Sequence, residues 1–180
     1  TLGWADCDRL SLVRNRYTFS GVTTTSGSVD PTPIQNPQDT IAGVIRERAQ
    51  IGAFAATGVA ANSSVPGMFA FQGWDTHPIN GETNYASLPG TINTGKYYSF
   101  SINPNLSDLL YIDSIGFKVG RNANGIRTFA VRSSVGNYSA NLPIRAGGNP
   151  NIGIQSGNVA FIKNDAALND IMIYVDPPAN

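Results

Sequence analysis

The chain has 180 residues, and its twelve Lys and Arg cancel twelve Asp and Glu to a net charge of zero. Charged residues make up 13% of it, against a usual share of about 25%. That balance excludes the basic face expected of a nucleic-acid binder and the polybasic patch that holds a protein on an anionic membrane. No apolar run reaches the roughly 18 residues of a membrane-spanning helix.

The length suits one domain, 1–180, able to bury about 70% of its unfolded surface. Few charges and many Gly, Ser, Thr and Asn residues suit an exported β-protein, extracellular or on a cell surface. The first residue is Thr1, consistent with removal of a signal peptide. The single cysteine, Cys7, cannot form an intramolecular disulfide or a Cys-based zinc cluster. It reads either as an inert thiol or, beside Trp4, as part of an intermolecular contact. "GWADC" does not resemble a lipid-attachment sequence.

In chain order, "SLVRNRYTF" (11–19) reads as β-type and ends at Ser20-Gly21. Residues 22–40 carry three prolines and many hydroxyls and read as a long loop. "PQDTIAGVIRERAQIGAFAA" (37–56) is open. Asn36-Pro37 resembles a helix start and Ile41, Val44, Ile45 and Arg48 fit helical spacing. Gly43 and a drifting apolar stripe fit strand instead. "GMFAFQGW" (67–74) is a short apolar run, and 75–95 is again loop, with Asn80-Gly81 and Pro89-Gly90 as turn signals. In "KYYSFSIN" (96–103) Tyr98, Phe100 and Ile102 alternate with serines, the period of a half-buried strand. "SIGFKVG" (114–120) repeats this with Ile115, Phe117 and Val119. "RTFAVRSS" (127–134) repeats it with Phe129 and Val131 inward and Arg127 and Arg132 near the rims. "NVAFIK" (158–163) and "DIMIYVD" (170–176) complete the series. Strands about a dozen residues apart, joined by Gly, Asn and Pro turns, indicate an all-β fold. The expectation is a two-sheet antiparallel β-sandwich, jelly-roll-like, with eight to ten strands and long loops.

Chemistry-bearing residues are sparse. The one histidine, His77, has no second His or Cys for a zinc site and no G-x-S-x-G nucleophile elbow to serve. A solvated loop histidine is the plain reading. Trp74, Asp75, His77 and Tyr85 form the candidate ligand site, because an aromatic beside a carboxylate and amides can hold a sugar. The acidic residues show no pair spaced for glycoside hydrolysis. Asp165, Asp170 and Asp176 could contribute to a calcium site, but no calcium-loop spacing supports one, and no cofactor is expected. "AGGNPNIG" (146–153) lacks phosphate-loop spacing and reads as a turn. Asn62, Asn105 and Asn137 each open an N-x-[ST] sequon. In "SVGNYS", Gly136 and Asn137 suit positive φ, which makes this a turn after the strand. Arg132 then reads as structural, tethering a nearby carbonyl or carboxylate.

A resemblance rests on "KYYSFSINPNLSDLLYIDSIGFKVGRNANGIRTFAVRSSVGNYSANL" (96–142). Tyr98, Phe100 and Pro104 match one strand pattern, and Ile112, Ile115 and Phe117 a second. Phe129, Val131, Arg132, Ser133, Ser134, Tyr138 and Leu142 match a third. These motifs resemble a family of exported bacterial β-sandwich domains often met in proteins with C-terminal sorting or anchoring tails. "YTFSG" (17–21) and "FQGW" (71–74) resemble its earlier elements. Ile126 stands where the family tends to have proline, and Gly136-Asn137 where it tends to have Asp-Gly. The resemblance implies an exported sandwich and carries over no catalytic residue.

The function expected first is a non-catalytic structural or adhesive protein of a cell surface, matrix or extracellular filament. Its partner would be itself, through strand addition by residues 1–14 or by the C-terminal strand, or surface glycans. The alternative is a carbohydrate-binding module of jelly-roll type, which would expose Trp74, Tyr85, Tyr97 or Tyr138. A hydrolase lacks an identifiable nucleophile–base or metal set.

Overall fold

A computed structural model describes residues 16–19, 22, 38–41, 44–47, 49–62, 68–74, 92–105, 112, 114–122 and 125–175, with 38–41, 44–47 and 166–174 described as backbone. Fourteen strands and no helix occur among these residues, and every register described is antiparallel. The described residues are all-β. The open stretch 37–56 resolves as strand: β1 (Gln38–Ile41), β2 (Val44–Glu47), β3 (Ala49–Ile51) and the start of β4 (Ala55–Thr57). There follow β5 (Ala60–Ala61), β6 (Phe71–Gln72), β7 (Tyr97–Ser99) and β8 (Ile102–Pro104). These eight form the two-stranded ladders β1–β2, β3–β8, β4–β7 and β5–β6. The strand count exceeds the eight to ten expected because long β-type runs are broken into short ladders.

Chain packing defines two compact units, Thr1–Ala56 with Ser63–Phe69 and Tyr98–Leu110, and Thr57–Asn62 with Ala70–Tyr97 and Tyr111–Asn180. In the first, Ala49 is fully buried on β3. Six rings gather there: Tyr17, Phe19, Phe54, Phe69, Tyr98 and Phe100. Their centroid separations, such as 5.1 Å for Phe54–Phe69 and 5.5 Å for Tyr17–Phe100, lie in the range of favourable aromatic pairs. The Tyr17 hydroxyl donates to the Gly52 carbonyl at 2.6 Å, and the Gly52 amide to the Ser101 carbonyl at 2.9 Å.

Two expectations change here. Residues 16–19 are irregular rather than strand, and Phe19 has a φ of 55°. The expected strand 96–103 divides at Phe100–Ser101 into β7 and β8, which pair with different partners. Tyr98 and Phe100 keep 39% and 36% of their surface exposed. Loop-borne rings, rather than a facing sheet, pack against them, so alternation alone does not bury them.

The second unit carries β9 (Ile115–Arg121), β10 (Thr128–Phe129), β11 (Ile144–Ala146), β12 (Ile152–Gln155), β13 (Val159–Ile162) and β14 (Ala166–Val175). They form two three-stranded sheets, β10–β13–β12 and β11–β14–β9. Leu142, Ile144, Ile152, Ala160, Ile162 and Val175 make one apolar cluster, and Ile115, Phe117, Val119, Phe129 and Val131 pack against it. The inward alternation expected for 114–120 and for Phe129 and Val131 is therefore present. β13 is buried along its whole length, as the middle strand of its sheet must be.

Three details depart from the sequence reading. Only Thr128–Phe129 of 127–134 is strand. Arg127 does not sit at a rim but is fully buried. β14 lies between β11 and β9, pairing Ile173 with Ala146 on one side and Phe117 on the other. Ile173, Tyr174 and Val175 thus have strand partners on both sides.

Candidate functional site

The turn after β10 is held by backbone and side-chain hydrogen bonds together. The backbone reverses at Gly136, Asn137 and Tyr138, with φ of 97°, 54° and 56°. Glycine takes this left-handed region freely, and asparagine tolerates it better than most residues. Three amides close the turn: Asn137 to the Ser134 carbonyl (3.0 Å), Tyr138 to the Ser133 carbonyl (2.9 Å) and Ser139 to the Gly136 carbonyl (3.1 Å). Arg132 lies along it. Its Nε donates to Asn141 Oδ1 at 2.8 Å and its Nη1 to the Tyr138 carbonyl at 3.3 Å. Asn141 Nδ2 in turn donates to the Gly157 carbonyl at 2.8 Å, which ties the turn to the β12–β13 hairpin. The polar side chains here position backbone, and Tyr138 is left 56% exposed.

Of the expected ligand site, Trp74 is described and Asp75, His77 and Tyr85 lie outside the described residues. Trp74 is half-buried, and its indole N–H donates to the Phe71 carbonyl at 3.0 Å. Nearby, Gly58, Val59, Ala60, Gln72 and Gly73 line a shallow open depression. Lys96 Nζ donates to the Gly73 carbonyl at 2.6 Å. The depression presents mostly backbone and one exposed amide side chain, Gln72, and no acid–base pair. The expected contact residues Trp4 and Cys7 also lie outside the described residues.

Two buried arginines escaped the sequence reading. Arg121 ends β9 and donates to Asp165 Oδ1 and to the Lys163 carbonyl, both at 3.2 Å. Burial lowers its pKa, Asp165 raises it and neighbouring Arg127 lowers it further. Arg127 places its guanidinium carbon 5.9 Å from the centre of the Phe161 ring, a cation–π distance. Two arginines flanking a Gly/Asn turn give no sequence signal of burial, because such positions are normally solvated. Among the described residues no group of three His, Cys, Asp or Glu side chains is placed to hold a metal ion. No described helix is long and apolar enough to cross a membrane. Compared with protein-family models, curated proteins and solved structures, the chain matches none of them.

Proposed function

We propose that this chain is an exported, non-catalytic structural or adhesive protein of a cell surface, matrix or extracellular filament, and that copies join by strand addition. The observation that carries this reading is the openness of the sheets. Among the described residues each sheet has only two or three strands and ends in two edges. The longest edge strand is β9, seven residues, whose one strand partner among the described residues is β14. An edge strand offers backbone N–H and C=O groups to an incoming chain. Ile115, Phe117 and Val119 on β9 face the core, so a strand added beside it would extend the same apolar face. With β14 committed to the sheet centre, residues 1–14, with Trp4 and Cys7, are the donor in this proposal.

Low charge, a single histidine and dispersed carboxylates support the non-catalytic part. The resemblance over 96–142 supports export. The apolar cluster shared by both three-stranded sheets supports a sandwich, and the jelly-roll order belongs to the proposal. Light scattering coupled to size exclusion tests assembly on the full chain and on a chain lacking residues 1–14. The full chain is expected to associate and the shortened one to run as a monomer. Unchanged association would remove residues 1–14 as donor. A second reading, a carbohydrate-binding module, draws on the 44% and 56% exposure of Tyr97 and Tyr138.

A further inference from the structure

The ring of Tyr138 has no structural duty that the described residues explain. At 56% it is the most exposed of the large apolar side chains. It has no aromatic neighbour among the described residues, unlike Tyr98 and Phe100, which pack within a cluster of rings. The backbone does not ask for tyrosine either. At φ 56° a side chain is a strain that glycine would avoid. A bulky residue held in this region by its surroundings is a reason to look for function. Here the surroundings do hold it: the Tyr138 amide and carbonyl are engaged by the Ser133 carbonyl and the Arg132 guanidinium.

The rim narrows the ligand. From Ser133 to Leu142 no side chain other than the Tyr138 phenol is ionisable. Arg132 directs its guanidinium at Asn141 Oδ1 and the Tyr138 carbonyl. Asn137 is exposed, and its side-chain amide makes no hydrogen bond among the described residues. The Ser139 hydroxyl donates to the Gly136 carbonyl at 2.6 Å, which leaves its lone pairs as acceptors. A flat exposed aromatic face with an amide and a hydroxyl acceptor beside it, and no net charge, suits an uncharged polyhydroxy ring. It does not suit a phosphate, a nucleic acid or an acidic peptide, which would need free cations.

We propose that Tyr138 is the stacking platform of a neutral-glycan site, with a pyranose ring lying on the phenol and its hydroxyls meeting Asn137 and Ser139. The platform needs no induced fit, because the turn is already pinned to the β12–β13 hairpin through Asn141. This inference rests on the carbohydrate reading above and is independent of strand addition.

The test titrates the full chain by calorimetry with neutral hexasaccharides of β-1,4-glucose, β-1,4-mannose, β-1,3-glucose and β-1,4-N-acetylglucosamine. At least one is expected to bind. Tyr138→Ala is expected to weaken that binding about tenfold or more, as loss of an aromatic stacking partner does, and Tyr138→Phe to hold it within about threefold. Tyr138→Gly removes the ring while relieving the φ, so it should lose binding with thermal stability kept or raised. That variant separates a lost platform from a misfolded turn. If the chain binds a hexasaccharide and both Tyr138→Ala and Tyr138→Gly bind it equally well, the site is overturned while the carbohydrate reading stands. If no hexasaccharide binds the unmodified chain, both fall.

Discussion

Thr128 buries its hydroxyl on β10, and Oγ1 has no hydrogen-bond partner among the described residues. A buried hydroxyl without a partner costs about 1–3 kcal/mol relative to water. Thr128→Val keeps the β-branched shape and removes the hydroxyl. It is expected to raise stability by about 0.5–1.5 kcal/mol in urea denaturation, and a loss of stability would show that the hydroxyl is satisfied. Tyr98 illustrates a different residue-scale effect. Burial raises the pKa of its phenol, although the residue keeps 39% of its surface. The folded state then holds the proton at a pH where the unfolded chain has released it. The unfolded state binds fewer protons there, so stability falls as pH rises past about 10. A denaturation series from pH 8 to 11 should show this fall, and Tyr98→Phe should make it shallower. An equal slope in the variant would place the titration elsewhere.

Gly153 on edge strand β12 stands opposite Phe161 on β13. A Cβ built on Gly153 would overlap the Phe161 ring, so the ring lies over the glycine in the manner of aromatic rescue. The same ring meets Arg127 at 5.9 Å. Gly153→Ala must therefore move a ring that also meets Arg127, and overpacking of this kind costs about 1–3 kcal/mol. Thermal unfolding of Gly153→Ala measures it; no loss would mean that Phe161 has room to rotate. This element also shows how far sequence reading extends. β9, Phe129 and Val131 were legible because one face of each meets an apolar cluster, which is the condition for period-two alternation. Residues 96–103 carry the same alternation, yet they divide between two ladders and leave Tyr98 and Phe100 partly wet. Periodicity reports which side chains share a face, and not whether a sheet covers that face. The turn at Gly136-Asn137 was legible from residue type alone. The outward aim of Tyr138 and the burial of Arg127 depend on segments 16 to 34 residues away, Asn141 to Gly157 and Arg127 to Phe161, which no local window contains.

At the scale of the molecule, the two compact units alternate along the chain, which passes between them at 56–57, 62–63, 69–70, 97–98 and 110–111. No single cut separates them, so neither is a module that can be excised as one continuous segment. The ladders likewise join distant residues: Ala49 pairs with Pro104, and Ile115 with Val175. Topologies of this kind fold slowly, in about milliseconds to seconds for small domains. A chain ending at residue 165 is expected to lose the cooperative unfolding transition, because it lacks the middle strand of one sheet and Val175 of the core. A transition retained near the full-length midpoint would show that β11 and β9 hold together without it. The place of β14 also sets a schedule for biosynthesis. The strand that lies between β9 and β11 is the last in chain order of the fourteen described, so the sheet around it cannot close before that strand has been made. Until residue 175 has emerged, the core-facing sides of Ile115, Phe117 and Ile144 have no central strand beside them. Closure of this sheet is therefore a late event in folding, set by the order of the strands in the chain and not by their length.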